Sequence, residues 1–183
     1  VAADWANENI GDGECAIIMG LAGTDVVKNR TNGFTERLEE LGSKIKVVDS
    51  QNADWDRNTA KDVAATILKT YPDLKIICCN NDVMAMGALE AVKESGKTLN
   101  KDVYVIGMDG TDEAYESIRA NELSATVSMY PLYESQMATE CAVRILLGQE
   151  MPSVIWTPAM VTDATNVDAD EADTIGWTDP TFE

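Results

Sequence analysis

Polar side chains that could bind a hydroxylated ligand follow two of the apolar segments in the sequence. The Asn-Asn-Asp segment 80–82 comes directly after the apolar run 76–79, and Asp109 stands immediately before a glycine. A carboxylate can accept hydrogen bonds from two hydroxyl groups, while the amide of Asn81 offers both a donor and an acceptor. The vicinal hydroxyls of a sugar or a related polyol match this pair of side chains.

Two further residues extend the same pattern. Trp55 is a large aromatic residue in a loop of small polar residues, and an aromatic ring packs well on the C–H face of a sugar. Arg30 falls in the first turns of a predicted helix, from which its guanidinium could donate several hydrogen bonds to the same ligand. Together with Asn81 and Asp109 they indicate a polyol-binding surface.

Each of these residues also has a purely structural interpretation. Asp109 could cap a helix that begins near residue 111, Trp55 could cover the edge of a sheet, and Arg30 could be a solvated helix charge. Within the segment 80–82 we interpret Asn80 and Asp82 as helix caps that hold Asn81 in place. The residue types alone leave these alternatives open.

The elements that would position these residues alternate regularly along the chain. The predicted strands cover residues 15–19, 45–48, 76–79, 103–106 and 123–127, with a short edge strand at 154–158. The predicted helices cover the opening residues and the segments 25–41, 59–70, 82–95, 113–120 and 132–147. This alternation predicts an α/β fold, in which helices cover both faces of a parallel sheet to give three α/β/α layers. Ligands of such folds lie beyond the carboxyl ends of the strands, where the loops that carry the four residues would converge.

Composition argues against several other functions. The 183 residues include 14 basic and 32 acidic ones, and the net charge of −18 opposes binding to nucleic acid. Histidine is absent, which removes the commonest general base and metal ligand. The four cysteines show no C-x-x-C spacing, and no dinucleotide, P-loop or nucleophile-elbow motif is present. The acidic run 168–173 lacks the order of a calcium loop. We therefore favour a binding protein with no catalytic residues, no metal and no cofactor, and catalysis by carboxylates alone stays open as an alternative.

Several motifs together resemble the C-terminal lobe of the periplasmic sugar-binding proteins, the ribose/galactose type that delivers substrate to ABC transporters. The motifs are Gly23-Thr24 with Arg30 and Gly33-Phe34, then Ala53-Asp54-Trp55-Asp56-Arg57, the segment 80–88 (Asn-Asn-Asp-Val-Met-Ala-Met-Gly-Ala), the segment 105–111 (Val-Ile-Gly-Met-Asp-Gly-Thr) and the segment 123–127 (Leu-Ser-Ala-Thr-Val). They occur in the family's order, and the resemblance covers residues 1 to about 150.

The resemblance implies a two-lobed clamp whose lobes are joined by three crossovers and close around a sugar. Residues 1–128 would form the C-terminal lobe of a type I periplasmic-binding fold, beginning just after the first crossover. Residues 129–158 would contain the other two crossovers and a helix that packs on the missing N-terminal lobe. Residues 159–183 would form an acidic C-terminal tail. In this chain the helix should expose an apolar face or pack against a second copy of the chain.

The family's ligand contacts fall on the same four residues and on one more. Arg30, Trp55, Asn81 and Asp109 match the C-lobe contacts, and Met129 occupies the crossover position where the family usually carries Gln or Asn. Trp at position 55 is similar to the glucose- and galactose-binding members, whereas the surroundings of Arg30 are similar to the ribose-binding ones. Methionine cannot donate a hydrogen bond, which argues against ribose itself.

The implied function is that of the solute-binding component of an ABC sugar transporter, which binds a monosaccharide or related polyol in the cleft between the lobes without catalysis. Its partners would be the transporter permease and a chemoreceptor, and its location periplasmic or extracellular, including a lipid-anchored form at the cell surface. The alternative is the effector-binding domain of a LacI-type transcription regulator, which resembles the same fold. An enzyme that works with carboxylates alone ranks third.

Overall fold

The computed structural model describes residues 1–169, which form six helices and six strands. The helices are α1 (Ala2–Asn9), α2 (Asp25–Glu40), α3 (Arg57–Thr70), α4 (Asp82–Glu94), α5 (Asp112–Arg119) and α6 (Pro131–Leu146). The strands are β1 (Asp12–Met19), β2 (Lys44–Asn52), β3 (Leu74–Cys79), β4 (Tyr104–Asp109), β5 (Ala125–Ser128) and β6 (Met160–Asp163). The predicted alternation of helices and strands is confirmed.

The strands form a single sheet in the order β2-β1-β3-β4-β5-β6. The first five strands pair in parallel, as predicted, and β6 pairs with β5 in the antiparallel direction. The sheet is therefore mostly parallel, and all five parallel strands present their carboxyl ends at the same edge.

Two apolar clusters pack on opposite faces of this sheet. Along β1, Cys15 and Ile17 belong to the cluster that includes residues of α1 and α2, whereas Ala16 and Ile18 belong to the cluster with residues of α3, α4 and α5. Successive side chains of a strand point to opposite faces, so a central strand covered on both sides must be apolar throughout. The predicted three-layer α/β/α arrangement is confirmed.

Strand β2 is longer than its apolar residues indicate. The prediction ended it at Val48, but the strand continues through the polar segment 49–52. An irregularity at Val48 lets Cys15 pair with Val47 and Ala16 with Asp49, so the strand keeps its pairing with β1 beyond the bulge. Polar residues are tolerated there because β2 is the edge of the sheet.

The predicted edge strand at Val154–Pro158 is wrong. These residues form no strand, and the edge strand is instead β6, four residues that lie within the segment expected to be part of the acidic tail. Trp156 in the predicted strand is 90% exposed, and Pro158 has no N–H to give to a neighbouring strand. This short apolar run therefore has the composition of a strand but pairs with no neighbouring strand among the described residues.

Helix α6 lies outside the three layers. Met137 is its one buried residue in the described part of the chain, whereas Leu132, Ile145 and Leu146 are 60% exposed or more. The helix thus carries the exposed apolar side chains that the sequence led us to expect. Across residues 1–169, none of the helices is both long and apolar enough to cross a bilayer.

Candidate functional site

The loops after β1 to β5 all lie at the carboxyl edge of the sheet and carry most of the predicted site. Gly20 follows β1, Trp55 lies in the loop after β2, and Asn81 is the second residue after β3. Asp109 ends β4, and Met129 follows β5. Parallel pairing brings these positions to one edge of the sheet, as the sequence predicted.

Arg30 reaches from the second turn of α2 across the ends of β3 and β4. Its Nη1 donates a hydrogen bond of 2.9 Å to Asp109 Oδ1 and a second one to the Asn80 carbonyl oxygen. The side chain is 21% exposed, so it is not the solvated helix charge of the alternative interpretation. The pair joins the strongest donor of the site to its strongest acceptor.

Asp109 does not cap the following helix. That role belongs to Thr111, whose side chain accepts a hydrogen bond from the Ala114 N–H. Burial raises the pKa of the Asp109 carboxyl above its usual value of 3.8, the neighbouring Asp82 charge acts in the same direction, and Arg30 opposes both. The backbone of Asp109 has φ 125°, a conformation that favours glycine.

Trp55 lies directly over Gly20. A Cβ built on Gly20 would come within 2.2 Å of two carbons of the indole ring, so only glycine fits beneath it. Trp55 is partly exposed, also packs against the cluster that includes α3 and α4, and has φ 66°. The ring thus packs on the loop after β1 and on the cluster of α3 and α4, and it leaves part of its surface accessible at the carboxyl edge.

The division of roles within the Asn80–Asp82 segment differs from the interpretation of the sequence. Asn81, not its neighbours, is the cap of α4, because its Oδ1 accepts a hydrogen bond of 2.9 Å from the Met84 N–H. Asn80 Oδ1 accepts hydrogen bonds from the Gly20 N–H and the Thr31 hydroxyl, which ties the loops after β1 and β3 together. For Asn81, the amide nitrogen is the atom suited to donate to a ligand.

Asp82 holds the loop after β4, a role that the sequence reasoning missed. Its Oδ2 accepts hydrogen bonds from the N–H groups of Gly110 and Thr111 at 2.9 and 2.8 Å. The side chain is only 1% exposed. The sequence feature that could have indicated this role is Gly107, because a glycine inside a strand often marks a close approach by another group. In the structure, a Cβ at Gly107 would lie 2.2 Å from Asp82 Oδ1.

Met129 lies beside Asp109 at the end of the neighbouring strand. Its backbone N–H donates to the Asp109 carbonyl oxygen at 3.2 Å, and its side chain packs on the cluster that includes α1 and α2. The structure thus brings Arg30, Asp109 and Met129 into one contiguous group, with Asn81 and Trp55 on the adjoining loops.

A small cavity with largely apolar walls lies beside the group. A cavity of about 220 Å³ beside Arg30 and Asn80 is walled by apolar side chains that include Phe34 and Met108. Cys78 borders the same cavity, and burial raises the pKa of its thiol to about 12, so that it stays protonated at neutral pH. Within residues 1–169, no group of three or more acidic or cysteine side chains is arranged to hold a metal ion.

Comparison of the sequence with known families finds a match over most of the chain. Residues 1–150 match the family model described as a periplasmic binding protein domain. The ribose import binding protein of Bacillus subtilis is 36% identical over 159 residues, which cover 86% of this chain and 50% of that protein. The D-allose-binding periplasmic protein of Escherichia coli is 47% identical over 119 residues, which cover 65% of this chain and 37% of that protein.

A solved structure agrees with these relatives. An ABC transporter periplasmic solute-binding protein from Actinobacillus succinogenes, crystallised with bound D-allose, superposes with a TM-score of 0.83 at 33% identity, covering 90% of this chain and 58% of that one. The chain spans about half the length of the curated relatives it matches or less. The matched residues include every strand and helix that builds the candidate site. The chain therefore belongs to the periplasmic binding protein domain family.

Proposed function

We propose that this chain is the C-terminal lobe of a solute-binding protein that delivers a monosaccharide or related polyol to an ABC transporter. The observation that carries the proposal is the Arg30–Asp109 pair at the carboxyl edge of the sheet, with the Trp55 ring on the adjoining loop. The pair offers a charged donor and a charged acceptor side by side, which suits a ligand whose neighbouring hydroxyls both donate and accept.

Each site residue has a distinct role in this proposal. Asp109 accepts from two ligand hydroxyls, Arg30 donates to ring or hydroxyl oxygens, and the Asn81 amide nitrogen adds a donor. Trp55 packs on the C–H face of the ring. Met129 provides an apolar contact at the crossover. The ligand is held by hydrogen bonds and packing, without a covalent step.

The relatives named above support transport over gene regulation and over catalysis, since they are an import binding protein, a periplasmic binding protein and an ABC transporter solute-binding protein. Two of them are a D-allose-binding protein and a structure with bound D-allose, and the third is a ribose import protein, so aldose sugars of this kind are the first ligands to test. The effector domain of a regulator has no comparable support. A periplasmic or extracellular location and contacts with a permease or chemoreceptor follow from the same assignment.

The proposed division of the chain gives the rest of the cleft to a second lobe. Residues 1–128 would form one wall, residues 129–158 would cross to the other lobe and carry the α6 helix, and the following segment would return. Leu146 of α6 is 86% exposed, which suits a helix that packs on a partner absent from this chain. Closure of the two lobes would bury the sugar and create the surface that the permease recognises.

The test is a titration of the complete two-lobed protein with D-allose and D-ribose, monitored by tryptophan fluorescence. Saturable binding that Asp109→Ala weakens by at least about tenfold is the expected result, because a charged hydrogen-bond acceptor is lost. Unchanged affinity in this variant would refute the site assignment. The 183-residue chain alone should bind weakly or not at all, and micromolar affinity in it would contradict the two-lobed arrangement.

A further inference from the structure

We propose that Asp82 is a positioning residue for the ligand site, one that fixes the backbone turn from which Asp109 presents its carboxylate. The proposal rests on the proposed function, because it assigns to Asp109 the role of ligand acceptor. Asp82 itself would not touch the ligand, since its side chain is almost fully buried.

The hydrogen bonds of Asp82 converge on the residues that follow Asp109. Its Oδ2 accepts from the N–H groups of Gly110 and Thr111 and from the Thr111 hydroxyl, the last at 3.1 Å. Its Oδ1 accepts from the Thr126 hydroxyl on β5 at 2.6 Å. One carboxylate at the start of α4 therefore anchors the loop after β4 and the neighbouring strand.

The backbone of the anchored turn needs such a partner. Asp109 and Gly110 have φ values of 125° and 76°, so two successive residues depart from the extended conformation of β4. This path aims the N–H groups of Gly110 and Thr111 at the same point, a concave arrangement that binds anions. The anion here belongs to the protein itself. Without it, the partly buried Thr111 N–H would lose its acceptor, and the Gly110 N–H would keep only the Thr126 hydroxyl at 3.3 Å. Fewer contacts would then hold Asp109 in a conformation that favours glycine.

The packing around Asp82 fixes the carboxylate as well. Gly107 on β4 leaves the space that Oδ1 occupies, because a Cβ there would lie 2.2 Å away. Asp82 thus connects the start of α4 to the turn after β4, and this turn orients Asp109 toward Arg30. In this orientation Asp109 accepts the hydrogen bond of 2.9 Å from Arg30.

The first experiment measures the turn directly and needs no sugar. In the 183-residue chain, amide hydrogen exchange and chemical shifts of Gly110 and Thr111 are followed by NMR for wild type, Asp82→Ala and Asp82→Asn. We expect exchange at both amides to become about tenfold faster in Asp82→Ala, because the carboxylate that accepts from both of them is lost. In Asp82→Asn the two proton shifts should move, since a neutral amide oxygen replaces a charged acceptor.

The matched control is Asp112→Ala. Asp112 is also the first residue of a helix, α5, but its side chain is exposed. This variant removes an acid near a helix N-terminus and should leave the two amides as they are in wild type. Unchanged exchange and shifts in a folded Asp82→Ala chain would overturn the proposal. If that variant does not fold, unchanged amide shifts in Asp82→Asn would overturn it instead.

The second experiment measures ligand affinity in the complete two-lobed protein with D-allose and D-ribose. Asp82→Ala should weaken binding by about tenfold, Asp82→Asn should restore part of that loss, and Asp112→Ala should bind as wild type does. If wild type binds and Asp82→Ala binds equally well, the positioning role fails and the proposed function stands. If wild type binds neither sugar, the proposed function fails for these sugars, while the amide measurements still decide whether Asp82 holds the turn.

Discussion

Asp109 combines two features that cost the folded chain free energy: a partly buried carboxylate and a backbone conformation that favours glycine. Residues with such features concentrate at functional sites, where binding of a ligand recovers the cost. The Arg30 guanidinium offsets part of the penalty but does not cancel it, since the pKa of Asp109 stays above its usual value. We therefore expect a conflict between stability and binding at this residue.

Asp109→Asn should weaken sugar binding by about tenfold or more in the complete protein while making the 183-residue chain slightly more stable at neutral pH. Because the folded-state pKa of Asp109 is raised, its contribution to stability is fully present below pH 3.8 and is lost as the pH rises through the folded-state pKa. Thermal unfolding of wild type and variant between pH 3 and pH 8 measures the difference. This interval of about five pH units covers the titration of carboxyl groups.

The control for this comparison is Asp112→Asn, which neutralises an exposed carboxylate of the next helix. It should keep the wild-type dependence of stability on pH in the range where Asp109 titrates. A variant Asp109→Asn that loses stability at pH 7 would show that the contact with Arg30 outweighs burial.

Gly20 is the second residue whose type the site requires. Gly20→Ala should displace the Trp55 ring, which lies 2.2 Å from the position of the new Cβ. We expect about tenfold weaker sugar binding and a loss of about 1–3 kcal/mol in the free energy of unfolding. Sugar titration and urea unfolding measure the two effects. Wild-type affinity in a folded Gly20→Ala protein would show that the position of the ring does not matter for the ligand.

The sequence predicted which residues lie at the strand ends better than it predicted what each one does there. Asn81 and Asp109 stand out in the sequence because they follow apolar runs, and the structure places both at the carboxyl edge. The exchange of roles among Asn80, Asn81 and Asp82 could not be foreseen, because Asn and Asp can both cap a helix. Which one does so depends on the backbone direction at the end of β3, which residue types do not encode.

At the scale of elements, a close approach of two helices stabilises the layer beneath Trp55. Gly87 of α4 lies against the first turn of α3, and a Cβ built on it would come within 2.1 Å of the Arg57 carbonyl oxygen. The same helix pair is bridged by Arg57 and Glu90 at 2.9 Å. Because α3 follows directly from the Trp55 loop, its distance from α4 helps to set the position of that loop.

Gly87→Ala should therefore destabilise the chain by about 1–3 kcal/mol, although alanine is the better helix former. The matched control is Gly33→Ala in α2, where the added methyl group would meet nothing within 4 Å. That variant should be neutral or stabilising by up to about 1 kcal/mol. Urea unfolding of both variants measures the contrast, and equal effects would contradict the close-packing explanation.

The elements that the sequence predicted well are those with a strong pattern and a buried position. Strands β1 and β3 contain continuous apolar runs at residues 15–19 and 76–79 because helices cover both of their faces, and such runs are easily recognised. The edges of the sheet were harder, since β2 contains a polar half and β6 has only four residues. The segment 154–158 has strand-like composition, but strand pairing depends on a distant partner that composition does not reveal.

For the whole molecule, the two ends of the segment 129–159 lie side by side. The chain leaves after β5 and returns as β6, where Ser128 is paired with Met160 in antiparallel register. The hydroxyls of Ser128 and Thr162 are also hydrogen-bonded at 2.7 Å. Between the two strands in sequence lies α6, whose apolar side chains are largely exposed. The helix that packs least on the rest of the structure is therefore confined to residues 129–159.

Replacing residues 129–159 by a two-residue Asn-Gly turn should give a lobe that folds on its own, because this turn suits a pair of antiparallel strands. The shortened chain should be monomeric and unfold cooperatively, because the exposed apolar residues of α6 are removed with residues 129–159. Circular dichroism, size-exclusion chromatography and urea unfolding measure this. Loss of cooperative unfolding would indicate that α6 contributes to the core.

The adjacency of β5 and β6 makes residues 129–159 equivalent to an insertion in a β-hairpin. A segment that enters and leaves through neighbouring strands can be lengthened, exchanged or deleted without changing the order of the sheet. In design terms, residues 129–159 form an exchangeable segment, and a different segment could be grafted between β5 and β6 while the Arg30–Asp109 edge stays intact.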